Sequence, residues 1–149
     1  MTSTDKLRRQ HDAIVKMVAD IIERIDDYDY NDRANAAQIN LEVAKLLGQL
    51  RFHFVEEDLH LYPEMIASGL EEAATVAVCF KQEMGDIAER FEEFDHHWSS
   101  SAVIASRFDE FRHDALLIFS ALKNRIRREN EMLYPLAVAM NETARRRAA

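Results

Sequence analysis

One cysteine, two prolines and three glycines are all of these residue types that the 149-residue chain contains. The lone Cys79 excludes an internal disulfide framework and any zinc-ribbon spacing. So few prolines and glycines are too little turn punctuation for a multi-strand sandwich or barrel. No apolar run approaches the roughly 18 residues that a membrane span needs, and no apolar leader follows Met1. The expectation is a cytoplasmic chain with no membrane partner. Positive charge is also short, with Lys+Arg 19 against Asp+Glu 27 and a net charge of −8. That balance argues against nucleic acid, whose nonspecific binding rests on clustered Lys and Arg. The one arginine run, Arg145 to Arg147, reads as a solvated tail.

What is present is helical material. The composition, 48% hydrophobic and 31% charged, is that of a globular chain, and the length fits a single domain over residues 1–149. Leu7, Ile14, Val18, Ile21, Ile22 and Ile25 recur at three- and four-residue steps and predict a helix from about Thr4 to Ile25. The charged segment Asp26–Asp32 is a loop. Ile39, Val43, Leu46, Leu50 and Leu61 predict a second helix from about Arg33 to Tyr62, ended by Pro63 and Ser68-Gly69. A third, about Leu70 to Asp95, carries Val76, Phe80, Ile87, Phe91 and Phe94. A loop at His97–Ser101 precedes a fourth, with Phe108, Phe111, Ala115, Ile118, Leu122 and Leu133, which Tyr134-Pro135 ends or kinks. The fold class is therefore all-α, an up-down-up-down four-helix bundle with a short C-terminal helical tail. Cys79 lies in the apolar run Val76–Phe80 and is expected to be buried.

The chain also repeats itself. Leu50–Pro63 aligns with Leu122–Pro135 at an offset of 72, with Leu, Glu, Leu, Tyr and Pro identical at matched places. The same offset sets His11 opposite Glu83, and Gln10 opposite Gln82. Polar residues interrupt the apolar stripes at related positions. At about 100° per residue, His53 and Glu57 fall about 60° and 20° from Leu50, inside the apolar arc. Arg125 and Glu129 bear the same relation to Leu122. His11 fills a gap between Leu7 and Ile14, and Glu83 one between Phe80 and Ile87. Charged groups are rarely buried without partners. Six such groups converging on one core need each other, a cation, or both, and imidazoles with carboxylates make a set of metal donors.

These residues resemble the hemerythrin-like (HHE cation-binding) domain family over nearly the whole chain. His11 matches the family's histidine on helix 1. His53-Phe-Val-Glu-Glu57, followed by Leu61-Tyr-Pro63, matches its His-x-x-x-Glu on helix 2. Glu83 stands where the family has a helix 3 histidine, and Arg125-Ile-Arg-Arg-Glu129 where it has the second His-x-x-x-Glu. The resemblance implies a four-helix bundle around a non-haem di-iron centre. It implies that His11, His53, Glu57 and Glu129 hold one metal, while the histidines for the second are gone. The Arg125 guanidinium is expected in that second place, forked onto Glu83 and a bridging carboxylate. Three glutamates, one arginine and one divalent ion then sum to zero charge.

Other polar residues carry blander readings. His60 flanks the site as a neighbour of the ligands or a boundary residue. His96 and His97 stabilise a helix C-terminus, and His113 faces outward. Tyr28, Tyr30 and Trp98 read as packing at the edge. A degenerate, mononuclear iron site excludes O2 storage, which needs two irons, but can meet O2, peroxide or NO. The expected function is iron or redox, O2 or NO sensing or handling, with one iron per chain or another divalent metal, and a protein partner that reads the change. No nucleophile–base pair points to an enzyme. The alternative is a metal-free regulatory bundle acting through a protein surface.

Overall fold

The computed structural model describes residues 3–148, and all the regular structure among them is helical. α1 spans Ser3–Asp26 and α2 spans Arg33–Glu56, started by the Asp32 side chain, which accepts from the Ala34 amide at 3.0 Å. A π-helical turn over Glu57–Leu61 leads into the short α3, Tyr62–Ile66. The turn back uses Gly69 at φ 79°, a conformation only glycine takes cheaply. α4 runs over Glu71–His97, α5 over Ser101–Ser106 and α6 over Phe108–Arg128. A second π turn, Glu129–Leu133, leads into α7, Tyr134–Ala148. No helix among the described residues is long and apolar enough to cross a membrane.

Ile25, Ala36, Phe94, Trp98 and Phe108 share one end of the core, and Leu7, Leu61, Ala73 and Met140 the other. The four long helices therefore alternate in direction, up-down-up-down, with α7 as the tail. Burying apolar stripes of this kind stabilises the bundle by about 25 cal/mol for each Å² of apolar surface removed from water.

Several local expectations need correction. Pro63 does not itself stop its helix, which runs on to Ile66 before Ser68-Gly69, and at Pro135, read as an end or a kink, the helix does not end. Without an N–H, and with a ring that crowds the carbonyl four residues back, each forces a widened turn instead. The Tyr62 amide reaches back five residues to the Glu57 carbonyl, and the Tyr134 amide likewise to Glu129. Helix continues beyond both. Cys79 is exposed, not buried, because a continuous apolar run in a helix covers every face of it. Trp98 is buried, not at the edge, with its indole N–H donating to Asp114 at 3.0 Å.

The core divides into two apolar clusters. A large one, from Ile14, Leu50, Phe111 and Leu122 downwards, fills the body of the bundle. A smaller one, with Leu7, Leu61, Tyr62, Phe80, Leu133 and Tyr134, closes the end that carries α3 and α7. Polar side chains lie in the layer between them.

Candidate metal centre

α1 supplies His11 between Leu7 and Ile14, and α2 supplies His53 one turn after Leu50; both imidazoles are buried. Their Nε2 atoms lie 3.0 Å apart. Each outer ring nitrogen is held by an amide oxygen. His11 Nδ1 meets Asn130 Oδ1 at 2.8 Å, and His53 Nδ1 meets Gln10 Oε1 at 2.7 Å. An amide oxygen only accepts, so each Nδ1 carries the proton and donates it. In the neutral ring, Nε2 is then left with a lone pair. Two lone pairs face each other, and Glu129 Oε1 stands 2.8 Å from one and 3.6 Å from the other. Such a cluster repels itself unless a proton or a metal ion sits among these atoms.

The two carboxylates of the layer enter at the π turns. Glu57 begins the first and Glu129 the second, and both are fully buried. Burial, then the charge of Glu129, pushes Glu57 up to about 8. Burial would raise Glu129 too, but the facing imidazoles of His11 and His53 outweigh it and hold this carboxyl well below the usual range. For His53, burial opposes the charged form, yet the facing carboxylates of Glu129 and Glu57 prevail and push it up to about 9. Glu57 Oε1 lies 3.2 Å from His53 Nε2 without making a hydrogen bond, an orphaned oxygen in the interior.

Across the layer, Arg125 is as buried as the histidines. Its Nε donates to Glu129 Oε2 at 3.2 Å, and its Nη1 to Glu83 Oε2 at 3.3 Å. Nη2 donates to the Tyr62 hydroxyl at 2.9 Å and to the Phe80 carbonyl at 2.8 Å. The guanidinium also covers the Phe80 ring, 4.5 Å from its centroid. Glu83 is not a core residue. Its side chain is 45% exposed against 2% for Arg125, and Arg128 also pairs with it. That second arginine is absent from the sequence-derived charge balance. Counted as ionised, the buried Glu57, Glu129 and Arg125 leave a formal −1 before any proton or metal ion is added.

Of the seven site residues expected, the layer gathers His11, His53, Glu57, Glu129 and Arg125, with Glu83 as its half-exposed lid. His60 is exposed, next to the layer in sequence only. Five participants escaped the sequence reading. Gln10 and Asn130 orient the imidazoles, and Arg8 donates to the Asn130 carbonyl at 3.0 Å. Tyr62 and Tyr134, taken as parts of helix stops, are entirely buried. The Tyr134 oxygen lies 3.1 Å from His11 Nε2 and 3.4 Å from Glu129 Oε1, and it donates to Glu57 Oε2 at 3.0 Å. Burial, then the charges of Glu129 and Glu57, pushes this phenol upward, so it keeps its proton. The signal for both was their place five residues after a core glutamate.

The donor chemistry suits a transition metal. His11, His53 and Glu129 offer ligand atoms all within 4.8 Å of one another, the imidazoles are fixed from behind as ligating imidazoles are, and the orphaned Glu57 oxygen lies beside them. The chain was compared with known proteins. No curated protein and no solved structure matches it. A family model, the Hemerythrin HHE cation binding domain, matches residues 2–137. The chain therefore belongs to the hemerythrin HHE cation-binding domain family.

Proposed function

We propose that this protein binds a single non-haem iron ion and handles or senses iron, a redox change, or a small ligand such as O2 or NO, and does not store O2. The observation that carries the reading is Arg125. A fixed positive charge, fully buried and bound to Glu129 and Glu83, stands where a second cation would need histidines that this chain lacks. His11, His53 and Glu129 would hold the remaining ion, with Glu57 reaching it through the oxygen that makes no hydrogen bond. A bound iron supplies one-electron redox chemistry and an open position for a small ligand.

The chain's own residues do the rest. Gln10 and Asn130 keep the Nε2 lone pairs aimed inward, and the two apolar clusters exclude water above and below. Glu129 joins the two sides, since Oε1 faces the histidines while Oε2 faces Arg125. A change at the ion is thereby felt by α6 and the second π turn, and through them by any protein partner. The single cysteine is in keeping with a reducing, cytoplasmic setting.

Elemental analysis of protein purified without chelators tests this reading. About one metal per chain supports it, and two per chain would sink the role given to Arg125. A second reading has one specific observation behind it. A proton on His53, held up to about 9, can also relieve the facing lone pairs, which is the metal-free bundle. In that case added metal leaves the melting temperature unchanged.

A further inference from the structure

Among the described residues, the phenol of Tyr134 is the one hydroxyl placed among the candidate ligand atoms. Its oxygen is 3.1 Å from His11 Nε2, 3.5 Å from His53 Nε2 and 3.4 Å from Glu129 Oε1. Those three atoms are separated from each other by 3.0, 2.8 and 3.6 Å. Four atoms with such edges mark the corners of a slightly uneven tetrahedron. The centre of a tetrahedron this size lies about 2 Å from each corner, the bond length of a transition-metal ion to imidazole nitrogen or carboxylate oxygen.

Resting on the single-ion reading above, we propose that Tyr134 is itself a metal ligand, binding through its phenolic oxygen as a phenolate. The proton has a defined destination. With Glu57 ionised, Tyr134 donates to its Oε2 at 3.0 Å, so forming the metal–oxygen bond breaks the O–H bond and leaves the proton on that carboxylate. The transfer stays inside the buried layer and by itself does not change its net charge. Tyr62, its counterpart at the offset of 72, is differently placed. Its oxygen accepts from Arg125, and the guanidinium already supplies a cation on that side.

The test is spectroscopic and uses the full chain loaded with ferric iron from a citrate chelate. Metal content and colour are read separately. One ferric ion per chain is expected, with a visible phenolate-to-iron charge-transfer band and resonance-enhanced tyrosine ring modes in the Raman spectrum. Tyr134→Phe should keep the iron and lose both signatures, whereas Tyr62→Phe should keep all three. Iron bound by the wild type without the band overturns the ligand role of Tyr134 and spares the metal site. A band that survives in Tyr134→Phe also overturns it. Failure of the wild type to take up iron overturns both. The Raman spectrum of the wild type decides the matter even where a variant does not fold.

Discussion

The two hairpins of the bundle answer the same problem differently. Each places a core glutamate at the start of a π turn and a tyrosine five residues on, and each sets a polar side chain one helical turn before that glutamate. In the first half this side chain is His53, whose Nε2 faces that of His11. In the second it is Arg125, which carries its charge permanently and satisfies Glu129, Tyr62 and the Phe80 carbonyl at once. One scaffold thus provides an opening for a cation on one side and a covalently attached cation on the other. The comparison teaches that filling half of such a site takes a long planar donor group and an acidic partner at the surface, here Glu83, with no change in the fold.

The harshest way to break the comparison is to remove the built-in cation. Arg125→Ala leaves Glu129, the Tyr62 hydroxyl and the Phe80 carbonyl buried without their donor. We expect a loss of about 3–5 kcal/mol, read by denaturant titration as a shift in midpoint. Making the halves alike is the next test. Glu83→His with Arg125→His restores histidines to the second side and should raise bound metal from one to two per chain by elemental analysis.

A third test uses pH on the metal-free protein. His53 keeps its proton up to about 9 when folded and loses it near 6.5 when unfolded, so the native state holds more protons between these values. Glu57, raised from 4.5 to about 8, acts in the same direction. By linkage, stability falls as pH rises. The melting temperature should therefore be lower near pH 9 than near pH 6, and a flat profile would remove the proton from the account of the histidine side. The smallest effect belongs to Arg128→Ala. Its partner Glu83 is half exposed and keeps Arg125, so the loss should stay below about 1 kcal/mol in the same titration.

Helical periodicity was enough to place His11 inside, in the gap between Leu7 and Ile14, and His53, Glu57, Arg125 and Glu129 with it, because 100° steps from Leu50 and Leu122 leave little freedom for residues three and seven places on. It failed for Glu83 because the buried stripe of α4 passes through Ala77, Phe80 and Met84, which puts Glu83 at the margin where Arg128 can reach it. The tyrosines were hidden for another reason. Tyr-Pro reads as the end of a helix, and only the backbone shows that these prolines widen a turn and so swing the tyrosines into the core. Gln10 and Asn130 left no periodic trace, since their role depends on a neighbouring helix.

The two tyrosines cross over. Tyr134, from the second hairpin, closes the histidine side, and Tyr62, from the first, closes the arginine side. Asn130 and Glu129 reach across to His11 in the same manner. Neither hairpin can hide its own polar groups by itself, so a chain with one half melted would expose or strand the other half's buried charges. Such an intermediate is too costly to accumulate, and the bundle should lose its structure in a single cooperative step.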